Sequence, residues 1–328
     1  MAAKVTKKLL KPPEQLVCDG AYFLIGAGSS RYVSTAYGGP HDFPLGKDLL
    51  DEFLAQLSKP LRPDCKSLPE RQVKWTKEGE SRFSSIDELL HQARDDGYNE
   101  LIECGRKFVD RRIHKAEADA KCRHGYFVLP WVERLMNFVT HGVKSYEESR
   151  DRIRPPYQNS RELTFHTLNY DRVVEFSLLN YLSRRFPDRK DRLKILCDID
   201  NEGVRHLHGG LGTLNERPFG ESAKDDKSMV RFWFEKSDKG EDWRIQNTVM
   251  KLRSKWIFLG FGFHQQIISR ISTADPAVHF YATTARNTDL KNFSDFRKCK
   301  NILYHQSRNG DDCCVSLIDS LIGSYSCL

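Results

Sequence analysis

The chain has 328 residues, 39% of them hydrophobic and 30% charged, which is enough apolar material for a large α/β domain and too much for a disordered chain. Its 52 basic residues against 45 acidic ones leave a net charge of +7, which a mixed-charge surface explains better than a nucleic-acid footprint. The nine cysteines are odd in number and contain no Cys-x-x-Cys pair, so they fit neither a zinc ribbon nor a secreted disulfide framework, and reduced thiols in a cytoplasmic protein are expected.

Residues 1–20 read as a basic N-terminal arm without the apolar centre of a signal peptide, and no apolar run approaches the length needed to span a bilayer. Ala21–Ile25 then has strand character and breaks into Gly26-Ala27-Gly28-Ser29-Ser30. Glycines after a strand allow a sharp turn and close approach of a pyrophosphate, although any tight βα turn can contain them. Tyr37–Lys47 is a loop by composition, and Asp48–Leu57 is an amphipathic helix with Asp48 at its start. Ser58–Gly79 reads as irregular. Residues from about 84 to 142 read as a helical insert, and Ser145–Arg161 as a charged linker. His114, His124 and His141 are too scattered for a metal site, and no metal is expected.

Leu163–Thr167 mixes β-branched, aromatic and aliphatic residues as a buried strand does, and Asn169-Tyr170-Asp171 follows where that strand should end. Apolar residues at helical spacing then carry Val173–Leu182 into a helix. A polar trio at the carboxyl end of a strand is where open α/β sheets bind ligands, and it is also where a helix is capped. Arg184–Arg192 reads as a basic surface turn or, in preference, a solvated helix end, and Lys194–Cys197 begins a short apolar run. Val204–Gly210, VRHLHGG, is an extended segment with His206 and His208 on one side, closed by glycines. Lys255–Phe263 is a buried strand ending in Gly260-Phe261-Gly262. Val278–Thr284 and Asn301–His305 are further strands, and Val315–Ile322 is a C-terminal helix. Strands separated by helices or long crossings predict an α/β fold, a Rossmann-like parallel sheet with helices on both faces and a helical insert. A single domain over residues 21–328 follows.

The order of motifs is strand-Gly-Ala-Gly-Ser-Ser, helical insert, Thr-x-Asn-Tyr-Asp, Leu-His-Gly, Leu-Gly-Phe-Gly. It resembles the sirtuin-like NAD-binding family from about Phe23 to Thr284. The resemblance implies that Gly26, Ala27, Gly28 and Ser29 cradle the NAD pyrophosphate, and that Gly260, Phe261 and Gly262 lie near the adenosine half. It implies that Asn169 orients a water or the ribose at the glycosidic carbon. Asp171 would lie near the nicotinamide amide, and His208 would engage the nicotinamide ribose hydroxyls. The chain departs from deacylase members in lacking their zinc cysteines and in reading Asn-Tyr-Asp in place of Asn-Ile-Asp. Both departures are similar to the sirtuin-like effectors of prokaryotic antiphage defence, which hydrolyse NAD+.

The resemblance therefore implies an NAD+ glycohydrolase with NAD+ as substrate, gated by homo-oligomerisation or by a partner subunit such as a translocase-type ATPase or a short Argonaute. The helical block and the basic arm are candidates for those contacts, and neither a membrane nor direct nucleic-acid binding is expected. An NAD-dependent protein deacylase would use the same residues but would need an acyl-lysine groove. A non-catalytic ADP-ribose or NAD sensor would keep the glycine turn but gives no reason for Asn169, Asp171 and His208 to occur together.

Overall fold

The computed structural model describes residues 21–30, 43–59, 68–153, 163–199, 203–207, 210–221, 230–232, 255–261, 279–284, 301–306 and 313–322. Its centre is a six-stranded, all-parallel sheet in the order β3-β2-β1-β4-β5-β6. The strands are β1 (Ala21–Ile25), β2 (Leu163–Thr167), β3 (Val204–His206), β4 (Lys255–Leu259), β5 (His279–Thr284) and β6 (Asn301–Gln306). This is the Rossmann order, in which the chain winds outward from β1 in one direction and then crosses to its other side. The direction reverses between β1 and β4, whose registers run from Ala21 opposite Lys255 to Ile25 opposite Leu259.

β1 and β4 are nearly continuous apolar runs because both faces of the sheet are buried, whereas β2 buries Thr164, His166 and Thr167 among its apolar residues. Phe23, Phe165, Ile257 and Leu259 face one layer, which contains α5 (Pro130–Val139), α7 (Val173–Arg185) and the C-terminal α9 (Cys313–Ile322). Tyr22, Leu24, Trp256 and Phe258 alternate with them and are equally buried.

The helical block begins earlier than the sequence pattern suggests. Helices α1 (Gly46–Leu57), α2 (Glu70–Glu78), α3 (Ile86–Asp95) and α4 (Asn99–His124) share their own apolar core, separate from that of the sheet. Helix α5 belongs instead to the sheet layer, through Trp131, Leu135 and Met136. The span 84–142 therefore divides between two cores.

Several local expectations were corrected. Ser58–Gly79 contains α2, whose sequence ERQVKWTKE is too polar to announce itself and is held by burial of Val73 and Thr76. The linker contains α6 (Tyr146–Ile153), and Lys194–Cys197 lies within α8 (Arg189–Asp198), while Arg184 and Arg185 form the expected helix end, that of α7. Asp48 lies inside α1, where its side chain accepts the Leu45 N–H at 2.9 Å. Cys104 is disulfide-bonded to a residue outside the described ones, so the reduced-thiol argument for a cytoplasmic location does not extend to it. Cys122, Cys197, Cys313 and Cys314 are thiols. Among the described residues no helix is long and apolar enough to cross a membrane.

Candidate functional site

The site is assembled by the segments leaving the carboxyl ends of β1, β2, β3 and β4. Parallel strands all end on the same edge of the sheet, so residues far apart in sequence converge there. Gly26–Ser30 leaves β1 as a tight 3-10 turn, closed by the Ser29 N–H and Ser29 Oγ, which both donate to the Gly26 carbonyl at 3.0 and 2.9 Å.

The glycines of this turn are required by protein rather than by open space. Gly28 donates its N–H to the Gly260 carbonyl at 3.0 Å, and a Cβ on Gly26 would lie 2.6 Å from that same oxygen. Gly260 has φ +60°, and a Cβ there would lie 2.0 Å from the Ser29 nitrogen. The two turns cross at backbone contact, directly over the point where the strand order reverses. The N–H groups of Gly26, Gly28, Ser29 and Ser30 are all donated within the protein. A pyrophosphate would therefore find close approach along half-buried Ala27 and Gly28, not a ring of available donors from those four residues. Phe261 is buried and packs edge-on against Phe258, and the Gly260 N–H is held by Thr283 Oγ1 at 2.6 Å.

Asn169 and Asp171 meet at Ser30. The Asn169 side-chain amide donates to Ser30 Oγ at 3.0 Å, and Ser30 Oγ donates to Asp171 Oδ1 at 2.9 Å. A serine was needed here because a hydroxyl can accept one bond while donating another. Asp171 Oδ1 also accepts the Val173 N–H at 3.2 Å, so Asp171 does supply a bond to the first turn of α7. The segment is placed from below by the Leu168 N–H, which donates to the Ile25 carbonyl at 2.9 Å, and by the Asn169 N–H, which donates to Thr167 Oγ1 at 3.0 Å.

Electrostatics at this junction are unusual. Burial pushes the Asp171 carboxyl up to about 7, against the opposing pull of its bonds from Ser30 and Val173, and the charges of Glu117 and Glu175 push the same way as burial. Asn169 is 2% exposed, and its amide oxygen has no hydrogen-bond partner among the described residues. If oxygen and nitrogen were exchanged, the nitrogen would be unpaired instead, so one end of the amide lacks a partner either way. A buried amide group without a partner costs roughly 1–3 kcal/mol, a cost that a bound polar group would relieve.

The residues between these two point away. The Tyr170 hydroxyl donates to Asp87 at the start of α3, and its ring packs edge-on against Phe232. Arg172 is buried and forms a bidentate pair with Glu117 of α4, with Nη2 to Oε2 at 2.6 Å and Nε to Oε1 at 3.2 Å. Glu117 also accepts the Arg172 backbone N–H at 2.9 Å. Successive residues thus alternate, Asn169 and Asp171 toward the glycine turn, Tyr170 and Arg172 toward the helical block.

Of the residues singled out from sequence, Gly26, Ala27, Gly28, Ser29, Gly260 and Phe261 converge at the crossing turns, and Asn169 and Asp171 lie beside them. His208 and Gly262 lie outside the described residues. Ser30, Glu175 and His206 were missed as site residues. Ser29 turns back onto its own loop, and it is Ser30 that reaches the trio. His206 bonds the Asn169 backbone carbonyl and the Glu175 carboxylate. Its position on the same side of the strand as His208 was the available signal.

Among the described residues there is no group of three or more His, Cys, Asp or Glu arranged to hold a metal. No protein-family model matches the chain, and no curated protein matches it.

Proposed function

We propose that the chain is a sirtuin-like NAD+ glycohydrolase, which cleaves NAD+ with water to nicotinamide and ADP-ribose and serves antiphage defence by depleting NAD+. The observation that carries the reading is the unmet amide end of Asn169. It is buried, lies beside a carboxyl raised to about 7, and sits at the carboxyl edge of a sheet with dinucleotide-binding strand order.

The chemistry suits these groups. Nicotinamide leaves as a neutral base from a cationic ring, and positive charge develops on the ribose. Water then adds its oxygen to the anomeric carbon and releases a proton. Little covalent assistance is needed, so the protein's task is to position the reactants and exclude bulk water. Asn169, with one end of its amide unengaged, orients the water or the ribose. Asp171, partly protonated near neutral pH, either donates to the carboxamide oxygen or accepts from its NH2. His208 takes the proton from a ribose hydroxyl or from the water.

An enzyme of this kind must be restrained in its host, and we assign that restraint to self-association or to a partner subunit of the translocase ATPase or short Argonaute kind. The test is nicotinamide release from NAD+ by purified protein, alone and with the products of neighbouring genes. Asn169→Ala and His208→Ala are each expected to abolish turnover in a folded protein. Wild-type rates in both variants would overturn the assignment. Release that depends on an acetylated peptide would favour a deacylase, and tight ADP-ribose binding without turnover would favour a sensor.

A further inference from the structure

We propose that His206 and Glu175 form a positioning pair that sets the placement of Asn169, deepening the reading above on which it rests. His206 ends β3 and Glu175 lies in the first turn of α7, so the pair bridges the two elements that flank the Asn169 segment. The ring uses both nitrogens. Nδ1 donates to the Asn169 backbone carbonyl at 2.8 Å, and Nε2 pairs with Glu175 Oε1. A carbonyl only accepts, so Nδ1 must carry a proton, and the tautomer is settled by that contact.

The surroundings fix the ring in this pose. A Cβ on Gly210 would lie 2.9 Å from Nδ1 and 3.0 Å from Cε1, so the ring edge is covered by bare backbone. Glu175 is 7% exposed in its side chain and His206 16%, and Glu175 Oε2 has no partner among the described residues. A buried carboxyl group with one oxygen unmet relies on the His206 ring for its pairing. Burial alone would lower the His206 pKa, but the Glu175 charge and hydrogen bond, the Asn169 carbonyl and the Asp171 charge raise it on balance. The carbonyl contact puts a proton on Nδ1, and the raised pKa favours a second proton between Nε2 and Glu175 Oε1. The Asn169 backbone is held at its carbonyl by His206 and at its N–H by Thr167 Oγ1, in the placement from which its side chain donates to Ser30.

Glu175→Gln, His206→Asn and His206→Gln separate this role from a packing role, because an asparagine amide nitrogen takes the place of Nδ1 and a glutamine amide nitrogen that of Nε2. The measurements are NAD+ hydrolysis by the full chain, melting temperature, and the ring-nitrogen NMR shifts of His206. In the wild type both nitrogens should be protonated at pH 7, and in Glu175→Gln only Nδ1. His206→Gln should lower kcat by about 100-fold with KM for NAD+ changed by less than about threefold, whereas His206→Asn should recover at least about tenfold of that loss. An unprotonated Nδ1, a His206→Gln enzyme with wild-type kcat, or a His206→Asn enzyme no better than His206→Gln would each overturn the positioning role. A wild type that binds but never hydrolyses NAD+, with or without its gene neighbours, would overturn the glycohydrolase reading, while the nitrogen shifts would still decide the pair.

Discussion

Ser30 and Asp171, 141 positions apart, are joined by a hydroxyl-to-carboxylate bond of 2.9 Å, and the same hydroxyl accepts the Asn169 amide. The serine is therefore the common tether of both polar residues that follow β2. On the proposed NAD+ hydrolysis, Ser30→Ala should lower kcat/KM by about 100-fold while costing about 1–2 kcal/mol of stability. Paired kinetics and urea unfolding would check this. A variant with unimpaired turnover would mean that Asn169 and Asp171 hold their places without the hydroxyl.

The crossing of the two turns admits no side chain at Gly260. A Cβ would meet the Ser29 nitrogen at 2.0 Å, and φ of +60° is itself unfavourable for alanine. Gly260→Ala is expected to destabilise the protein by about 2–4 kcal/mol and to displace the Gly26–Ser30 turn. Gly142→Ala is the control, since φ is +71° there but no atom lies within 4 Å of the added methyl. It should cost only about 1 kcal/mol.

Two ion pairs predict very unequal costs for the same kind of substitution. Arg172 and Glu117 are 1% and 0% exposed, whereas Arg184 and Glu133 are 63% and 43% exposed at the same 2.6 Å separation. Glu117→Gln should cost about 3–5 kcal/mol because it leaves a buried guanidinium short of its counter-charge. Glu133→Gln should cost less than about 1 kcal/mol. Chemical denaturation of the two variants side by side decides it.

Titration of His166 and Asp171 should tilt stability in opposite directions over the same pH range. His166 is buried, neither ring nitrogen is hydrogen-bonded among the described residues, and burial, with the Arg205 charge adding, lowers its pKa from 6.5 to about 3. Between those values the unfolded chain binds a proton that the folded chain refuses, so stability falls as the solution is acidified. Asp171 is raised from 3.8 to about 7, and over that range the folded chain keeps a proton that the unfolded chain has lost, so stability falls as pH rises. Each contribution is on the order of 4–5 kcal/mol. Asp171→Asn should therefore gain stability from pH 4 to 6.5, and His166→Phe should lose it from pH 4 to 7. Urea midpoints across that range are the measurement, and parallel slopes in the two variants would refute the assignment.

The strands were readable in the sequence because buried parallel strands are short apolar runs with glycine or polar residues at their ends. Ala21–Ile25 and Lys255–Leu259 have that form, whereas Leu163–Thr167 and Val204–His206 carry Thr, Arg or His and were marked by β-branched residues and by the polar or glycine residues that follow. Helix α2 was not readable, because its polar sequence becomes helical through a neighbouring core and not through its own periodicity. The glycine turn lies where the sequence placed it, directly after β1. Sequence suggested room for a phosphate, whereas Gly26, Gly28 and Gly260 answer first to one another. Asn169 and Asp171 could be singled out as polar residues at a strand end. Ser30 and Glu175 could not, since their importance depends on which atoms face them across the fold. His206 was overshadowed by His208, which carried the motif.

The alternation through Asn169, Tyr170, Asp171 and Arg172 makes this tetrapeptide a two-sided part. Because the side chains that face the glycine turn and those that face α3 and α4 share one short backbone, neither side can be relocated alone. Linkage then works both ways: a ligand that favours one placement of Asn169 and Asp171 must favour the matching placement of Tyr170 and Arg172, and whatever grips Asp87 and Glu117 returns the same free energy to the ligand. The motif is accordingly not portable. Grafted onto another Rossmann sheet, it would need Asp87 and Glu117 to travel with it.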